Sequence, residues 1–342
     1  MLDFSEASIY KFLYNRFSPT DEGNIFNEEA FQFDLDQEET LNKIFLKPFQ
    51  STVNTWSFTH AVDVTMNPLH VIAKDIFSQA DFIPRANQIH KHLKSVAKHP
   101  NIKDGDLFII HFTKLIFKEE SCQGIGIFKI DEKDAFIDTR HSIDELNAIF
   151  EIKNGISARK VDKGVLILDT PDEMTVLIVD KAKDDAVYWK DEFVQVELKK
   201  DHINNTTQFL TQAKSYITET FPGEFESTKA DQVDMLNRTV NYFKQNEKFN
   251  REEFERHVLQ DQQVIDSFKR FDDLNRNINE YAVEHEFDIA HEAVKKQSRH
   301  LKSIIKLDKN FHIYIHGGKE NIESGIESNG RKFYKIYYDE EE

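Results

Sequence analysis

A single cysteine in 342 residues, Cys122, rules out a disulfide framework within the chain and fits a reducing cytosol. Glycine and proline are also scarce, at 11 and 7 residues, so neither a turn-dense all-β protein nor a disordered chain fits the composition. No uninterrupted apolar run approaches the ~18–20 residues of a membrane span. The opening stretch MLDFSEASIYKFLYNRF lacks the basic-then-apolar order of a secretory signal. These absences predict a soluble cytoplasmic protein without membrane contact. Positive charge is outweighed, with 44 Lys and Arg against 61 Asp and Glu and a formal net charge of -17. Such a balance argues against indiscriminate nucleic-acid binding. It leaves room for a local basic patch, because exposed charges are screened beyond about 8–10 Å at physiological salt.

Phe is abundant, at 29 residues, and the length accommodates one large domain or two ordinary ones. Residues 5–17 read as a short amphipathic helix, with Ile9, Phe12, Leu13 and Phe17 apolar at helical spacing, before a turn cluster at 18–24. Residues 28–49 are strongly acidic, and the alternation of Phe31, Phe33 and Leu35 reads as a half-buried strand with a solvated acidic face. Residues 66–98 read as mainly helical. Asn67-Pro68 is a start signal, and Leu69, Ile72, Ala73 and Ile76 follow helical spacing. A second stripe, Ile89, Leu93, Val96 and Ala97, continues that pattern. Residues 106–112, 124–130, 165–169 and 175–180 are strand candidates and make a β-rich centre. From about Asn204 the periodicity turns helical, with Gly and Pro almost absent, which sets a boundary near 200–205 between segments 1–203 and 204–342. The fold class is therefore α+β: a mixed N-terminal half with a β-rich centre, then a helical C-terminal half closed by a short antiparallel strand pair.

The tail, His291 to Tyr338, concentrates cations and aromatics in this acidic chain. Ala290, Val294, Leu301 and Ile305 fall on one face of an expected helix, and Lys295, Arg299, Lys302 and Lys306 on nearly the opposite face. Surface helices commonly carry lysines. Here the charges are of one sign along the stripe, and acids four residues away are sparse. Two aromatic strand candidates follow, Phe311–His316 and Lys332–Tyr338. Phosphate contact would use Lys295, Lys296, Arg299, Lys302 and Lys306, with Lys332 and Lys335 in support, positioning a duplex without reading its sequence. Aromatics beside lysines can stack on bases, although more often they simply pack.

Other constellations are weaker. Gly124-Ile125-Gly126 lacks the later Gly, Lys and Ser/Thr of a phosphate cradle. His90 with His92, or His312 with His316, would need further ligands, and none stands at a structural-zinc spacing. No G-x-S-x-G motif occurs, and Cys122 has no local nucleophile context. Asp172 after Pro171, followed by Glu197-Leu198-Lys199, outlines a PD-(D/E)xK nuclease. Asp172 and Glu197 would then hold Mg²⁺ while Lys199 positions the attacking water. A complete strand candidate between the two halves spoils that fit.

In the order of its blocks the chain resembles the bacterial nucleoid-associated protein family typified by NdpA, also called YejK. The resemblance is carried by DGDLFIIHF…GIGIFKID, VDKGVLILD, VYWKDEFVQVEL and IIKLDKNFHIYIHGG…GRKFYKIYY. It covers most of the chain in structural blocks and brings no binding residue to carry over position by position. It implies a cytoplasmic, nucleoid-localised protein that associates with DNA. The leading expectation is a non-enzymatic DNA-binding protein of low sequence specificity, without metal or cofactor, acting on double-stranded DNA and open to other nucleoid proteins or to oligomerisation. The alternatives are an acidic protein-interaction module, recruited to the nucleoid through residues 28–40, and the Mg²⁺-dependent nuclease.

Overall fold

The computed structural model describes residues 2–141, 148–157, 161–180, 188–278, 281–299, 301, 304–315, 321–338 and 340. The architecture is α+β, and the chain divides into two compact units, Met1–Lys199 and Lys200–Glu342. The first unit runs through β1 (Leu2–Asp3), β2 (Ser8–Phe17), α1 (Leu35–Leu46), β3 (Trp56–Phe58), α2 (Pro68–Phe77) and α3 (Phe82–Val96). Then come β4 (Gly105–Phe117), β5 (Glu120–Ile130), β6 (Asp134–His141), β7 (Ala148–Gly155), β8 (Lys163–Leu168), β9 (Thr175–Asp180) and β10 (Val196–Leu198). A π-helical turn, Tyr188–Val194, precedes β10. Among the described residues, eight strands form one antiparallel sheet in the order β1-β4-β5-β8-β9-β3-β10, with β2 also paired to β4.

Both faces of this sheet are covered. On one face Leu13, Ile109, Ile127 and Ile167 pack against Leu69 of α2, Ile89 and Leu93 of α3, and Trp189 and Phe193 of the π turn. On the other, Phe12, Ile110, Phe128 and Leu166 pack against Phe45 and Leu46 of α1 and against Phe49. Each such side chain contributes roughly 1.5–3 kcal/mol on full burial. Two covered faces explain why β4, β5 and β8 read as near-continuous apolar runs rather than as clean alternations.

The same double burial corrects the reading of residues 5–17, which form β2 and not a helix. Phe12 enters one core while Leu13 and Phe17 enter the other. A register shift between Ile9 and Lys11 breaks the two-residue period as well. The apolar positions therefore imitate a helical spacing. Residues 28–49 are corrected in the opposite sense. Phe31 and Phe33 lie in a loop, and α1 starts at Leu35. Asp34 accepts from Gln37 N at 2.9 Å and Gln37 returns a bond to Asp34 N at 3.1 Å, a capping box that settles the helix start. Asn67 caps α2 through His70 N at 3.0 Å, with Pro68 at the first turn.

The second unit contains α4 (His202–Ser215), α5 (Phe221–Glu224), α6 (Lys229–Gln245), β11 (Lys248–Asn250), α7 (Arg251–Phe254), α8 (Gln262–Ile278), β12 (Glu286–Asp288) and α9 (His291–Gln297). Its centre is aromatic: Phe209 meets Phe249 at 4.3 Å and Phe254 at 4.8 Å between ring centroids. Beside them Arg251 is buried, paired to Asp272 at 2.9 Å and to Glu255 at 3.4 Å, with its guanidinium over the Phe268 ring. The unit closes with two hairpins, β13 (Ile304–Leu307) with β14 (Phe311–Tyr314), and β15 (Ile322–Ile326) with β16 (Lys332–Ile336). The two aromatic strands thus do not pair with each other; each takes a neighbour that the sequence pattern had not marked.

Candidate nucleic-acid interface

The expected basic helix from Lys295 to Lys306 is shorter than its periodicity implied. Helix α9 ends at Gln297, with Ser298 N donating to Val294 O at 2.8 Å, and Ile304 and Ile305 already belong to β13. Two consecutive β-branched residues favour the extended chain. Ile305 also gains a core position against Ala230 and Val233 of α6, where Ile315 joins it. The single stripe of cations therefore does not form. Lys295 and Lys296 lie in the last helical turn, where the C-terminal dipole favours positive charge. Arg299 follows the helix, Lys306 lies on β13, and Lys302 lies outside the described residues.

Lys295, Arg299, Lys306 and Lys332 are exposed, and no ion pair among the described residues engages them. Lys296 is partly buried, and desolvation pulls its pKa below the usual lysine value. On the first hairpin Ile305 faces inward, while Lys306 and its cross-strand neighbour His312 are exposed next to Tyr314. On the second hairpin Tyr334 is half-buried against the α6 cluster. Lys332 shares the Tyr334 face, whereas Lys335, three residues on, points to the other. The structure therefore separates Lys332 from Lys335. Lys335 sits 3.5 Å from Glu323 and over the Tyr337 ring at 4.7 Å, and Tyr337 and Glu323 hold its pKa above the usual value. The acid that holds Lys335 was not foreseeable, because only the β15–β16 register, Glu323 opposite Lys335, brings the two together.

Both α9 and β13 rest on α6, and Asn237 of α6 donates to Ile315 O at 3.0 Å. Cations from separate elements thus share one helical support. That arrangement can present several positive charges to a phosphate backbone.

The other constellations separate clearly. His90 is buried, bonded to Asn15 at 3.2 Å and Asn24 at 2.9 Å and stacked on Phe26 at 4.1 Å. Burial pushes its pKa down to about 4. His92 instead reaches Phe193 O at 2.9 Å, so the pair does not act together. His312 is exposed on β14, and His316 lies outside the described residues. The Cys122 thiol is pushed up to about 11 by burial and by Asp169 and Glu120, which leaves little thiolate. Asp172 sits exposed in the β8–β9 turn. Lys199 meets its neighbour Glu173 at 3.3 Å and donates to Thr175 at 2.9 Å. Among the described residues no group of three or more His, Cys, Asp or Glu is placed to hold a metal ion.

These features define an acidic α+β protein with several exposed cations, without ion pairs among the described residues, near its C-terminal hairpins. The chain belongs to the family described as nucleoid-associated protein YejK, whose model matches residues 16–341. No curated protein matches it. A nucleoid-associated role follows from the family, and no helix among the described residues is long and apolar enough to cross a membrane.

Proposed function

We propose that the protein is a non-enzymatic, cytoplasmic component of the nucleoid that binds double-stranded DNA with little sequence preference. Lys295, Arg299, Lys306 and Lys332 make the principal phosphate contacts, joined by Lys302, which lies outside the described residues, while Lys296 and Lys335 contribute less or through rearrangement. One observation carries the reading: residues 295–309 hold six Lys or Arg and a single acid, Asp308, in a chain of net charge -17. A local excess of that size attracts phosphates at short range while the rest of the surface repels them. Tyr314 and Phe311, both exposed beside these cations, offer faces on which an unpaired base could stack.

The test is a gel-shift titration of purified protein on duplexes of unrelated sequence, with and without Mg²⁺. Retardation of every duplex by the protein alone, with DNA recovered intact in Mg²⁺, is the expected result. Failure to shift any duplex at low salt would transfer the role to a partner that recruits the chain. Cleavage in Mg²⁺ that Glu197→Ala abolishes would install the nuclease instead.

A further inference from the structure

The loop between β2 and α1 carries two aromatic side chains held at both ends. Phe31 N donates to Phe12 O at 2.9 Å, and the Asp34–Gln37 capping box fixes the chain three residues later. Phe31 and Phe33 line an open cleft of about 700 Å³ whose other walls include Phe12, Tyr14 and Phe108. The rings do not lie flat on one another. Tyr14 and Phe108 stack at 5.2 Å and 30°, while Phe31 stands across Tyr14 at 64° and across Phe12 at 80°. Phe33 meets Phe12 at 5.2 Å and 76°. The cavity is thus bordered by an aromatic cluster, in which Phe31 is exposed and Tyr14, Phe33 and Phe108 are partly exposed.

Ring faces are electronegative, and a cation within about 6 Å of a centroid is drawn to them. The rim adds charge of the same preference, since Asp34 and Asp36 line the cavity and no Lys or Arg does. Asp34 spends one oxygen on the helix cap. The Asp36 carboxylate has no hydrogen bond or ion pair among the described residues. An anion would be repelled here, and a neutral apolar ligand would leave the carboxylates unused. The volume lies in the range of about 300–1,000 Å³ found for small-ligand sites, more than a bare ammonium head fills.

We propose that this cavity binds an organic cation, an alkylated ammonium or a guanidinium on an apolar stem, held by Tyr14, Phe31, Phe33 and Phe108 and neutralised by Asp36. The site lies in the first unit and is independent of the DNA reading. The cation can be a free amine or a side chain of a basic protein, since both present the same chemistry.

Calorimetric titration of the full chain with choline, beside its neutral isostere 3,3-dimethylbutan-1-ol, tests the proposal. Choline saturates the site and the neutral alcohol binds about tenfold more weakly. Phe31→Ala, at a half-exposed position, weakens choline about tenfold, and Asp36→Asn, at an exposed one, weakens it several-fold. Should Phe31→Ala disturb folding, Asp36→Asn still decides. Equal affinity for the neutral isostere, or no saturation by choline, overturns the proposal. A flexible arginine-rich peptide that competes with choline more tightly than arginine amide assigns the cation to a protein chain. Competition by arginine amide that the peptide does not improve assigns it to a free amine.

Discussion

Replacing Lys295, Arg299, Lys306 and Lys332 together by alanine would change how DNA binding responds to salt, by an amount the structure sets. Of the seven cations expected at phosphates, Lys296 is partly buried, Lys335 is engaged by Glu323, and Lys302 lies outside the described residues. The other four are exposed and carry no ion pair among the described residues. Each phosphate neutralised on duplex DNA contributes about −0.9 to the slope of log affinity against log salt, so four give about −3.6. Between 50 and 200 mM salt, binding then weakens roughly 150-fold. If all seven made contact, the slope would be about −6.3. Fluorescence anisotropy of a labelled duplex, measured across a salt series, separates these values. The fourfold variant loses most of the slope. Lys335→Ala alone shifts it by less than about 1, because the lysine must first leave Glu323. A flat wild-type response, or parallel slopes for wild type and the fourfold variant, would refute the assignment.

Three further outcomes test the packing and electrostatics. Arg251→Ala strands Asp272 and Glu255 in a buried site, but Arg276 still reaches Asp272 at 2.9 Å and Lys269 reaches Glu255 at 3.2 Å. The loss in urea denaturation should therefore sit near the lower end of the ~3–5 kcal/mol typical of a broken buried pair. For His90, the folded pKa of about 4 lies below the unfolded value of 6.5, so the unfolded chain binds the proton more readily. Its contribution is complete above pH 6.5 and is lost as pH falls toward 4, by at most about 3 kcal/mol. His70, His92 and His111 are depressed too, so the His90→Gln difference in denaturation midpoint against pH isolates the His90 share. Gly126→Ala would drive a Cβ into the Phe128 ring and to 2.8 Å from Phe112, both fully buried, and calorimetry should show a loss of about 1–3 kcal/mol.

The central strands were legible because runs such as Ile109–Phe112 and Val165–Leu168 leave little choice but burial within a sheet. Strand β2 was not legible, because its two faces feed different cores and its register slips, which hides the period. Helix α1 offered its capping box, Asp34 to Gln37, in plain sequence. The alternation of Phe31, Phe33 and Leu35 nevertheless imitated a strand, and Leu35 proves to be a largely exposed first-turn residue rather than a core one. In the tail, apolar spacing continued smoothly from Val294 to Ile305, although the backbone changes from helix to strand between them. Periodicity cannot register such a switch when both elements bury toward the same helix, here α6. The concentration of cations was legible from composition alone. Which of them stay unpaired depends on cross-strand register, as Glu323 beside Lys335 shows.

The position of β10 bears on how the chain is made. Trp56–Phe58 pairs with Val196–Leu198, roughly 140 residues later, and Asn67 donates to the carbonyls of Val194 and Gln195 at 3.0 and 3.1 Å to fasten that closure. At about 5–20 residues per second on the ribosome, β10 follows β9 after roughly 1–4 seconds. Strand β3 becomes an open sheet edge only when β9 has paired with it, and β10 closes that edge about twenty residues later. The excess of acidic residues in this chain sets a general repulsion between its copies while that edge is open.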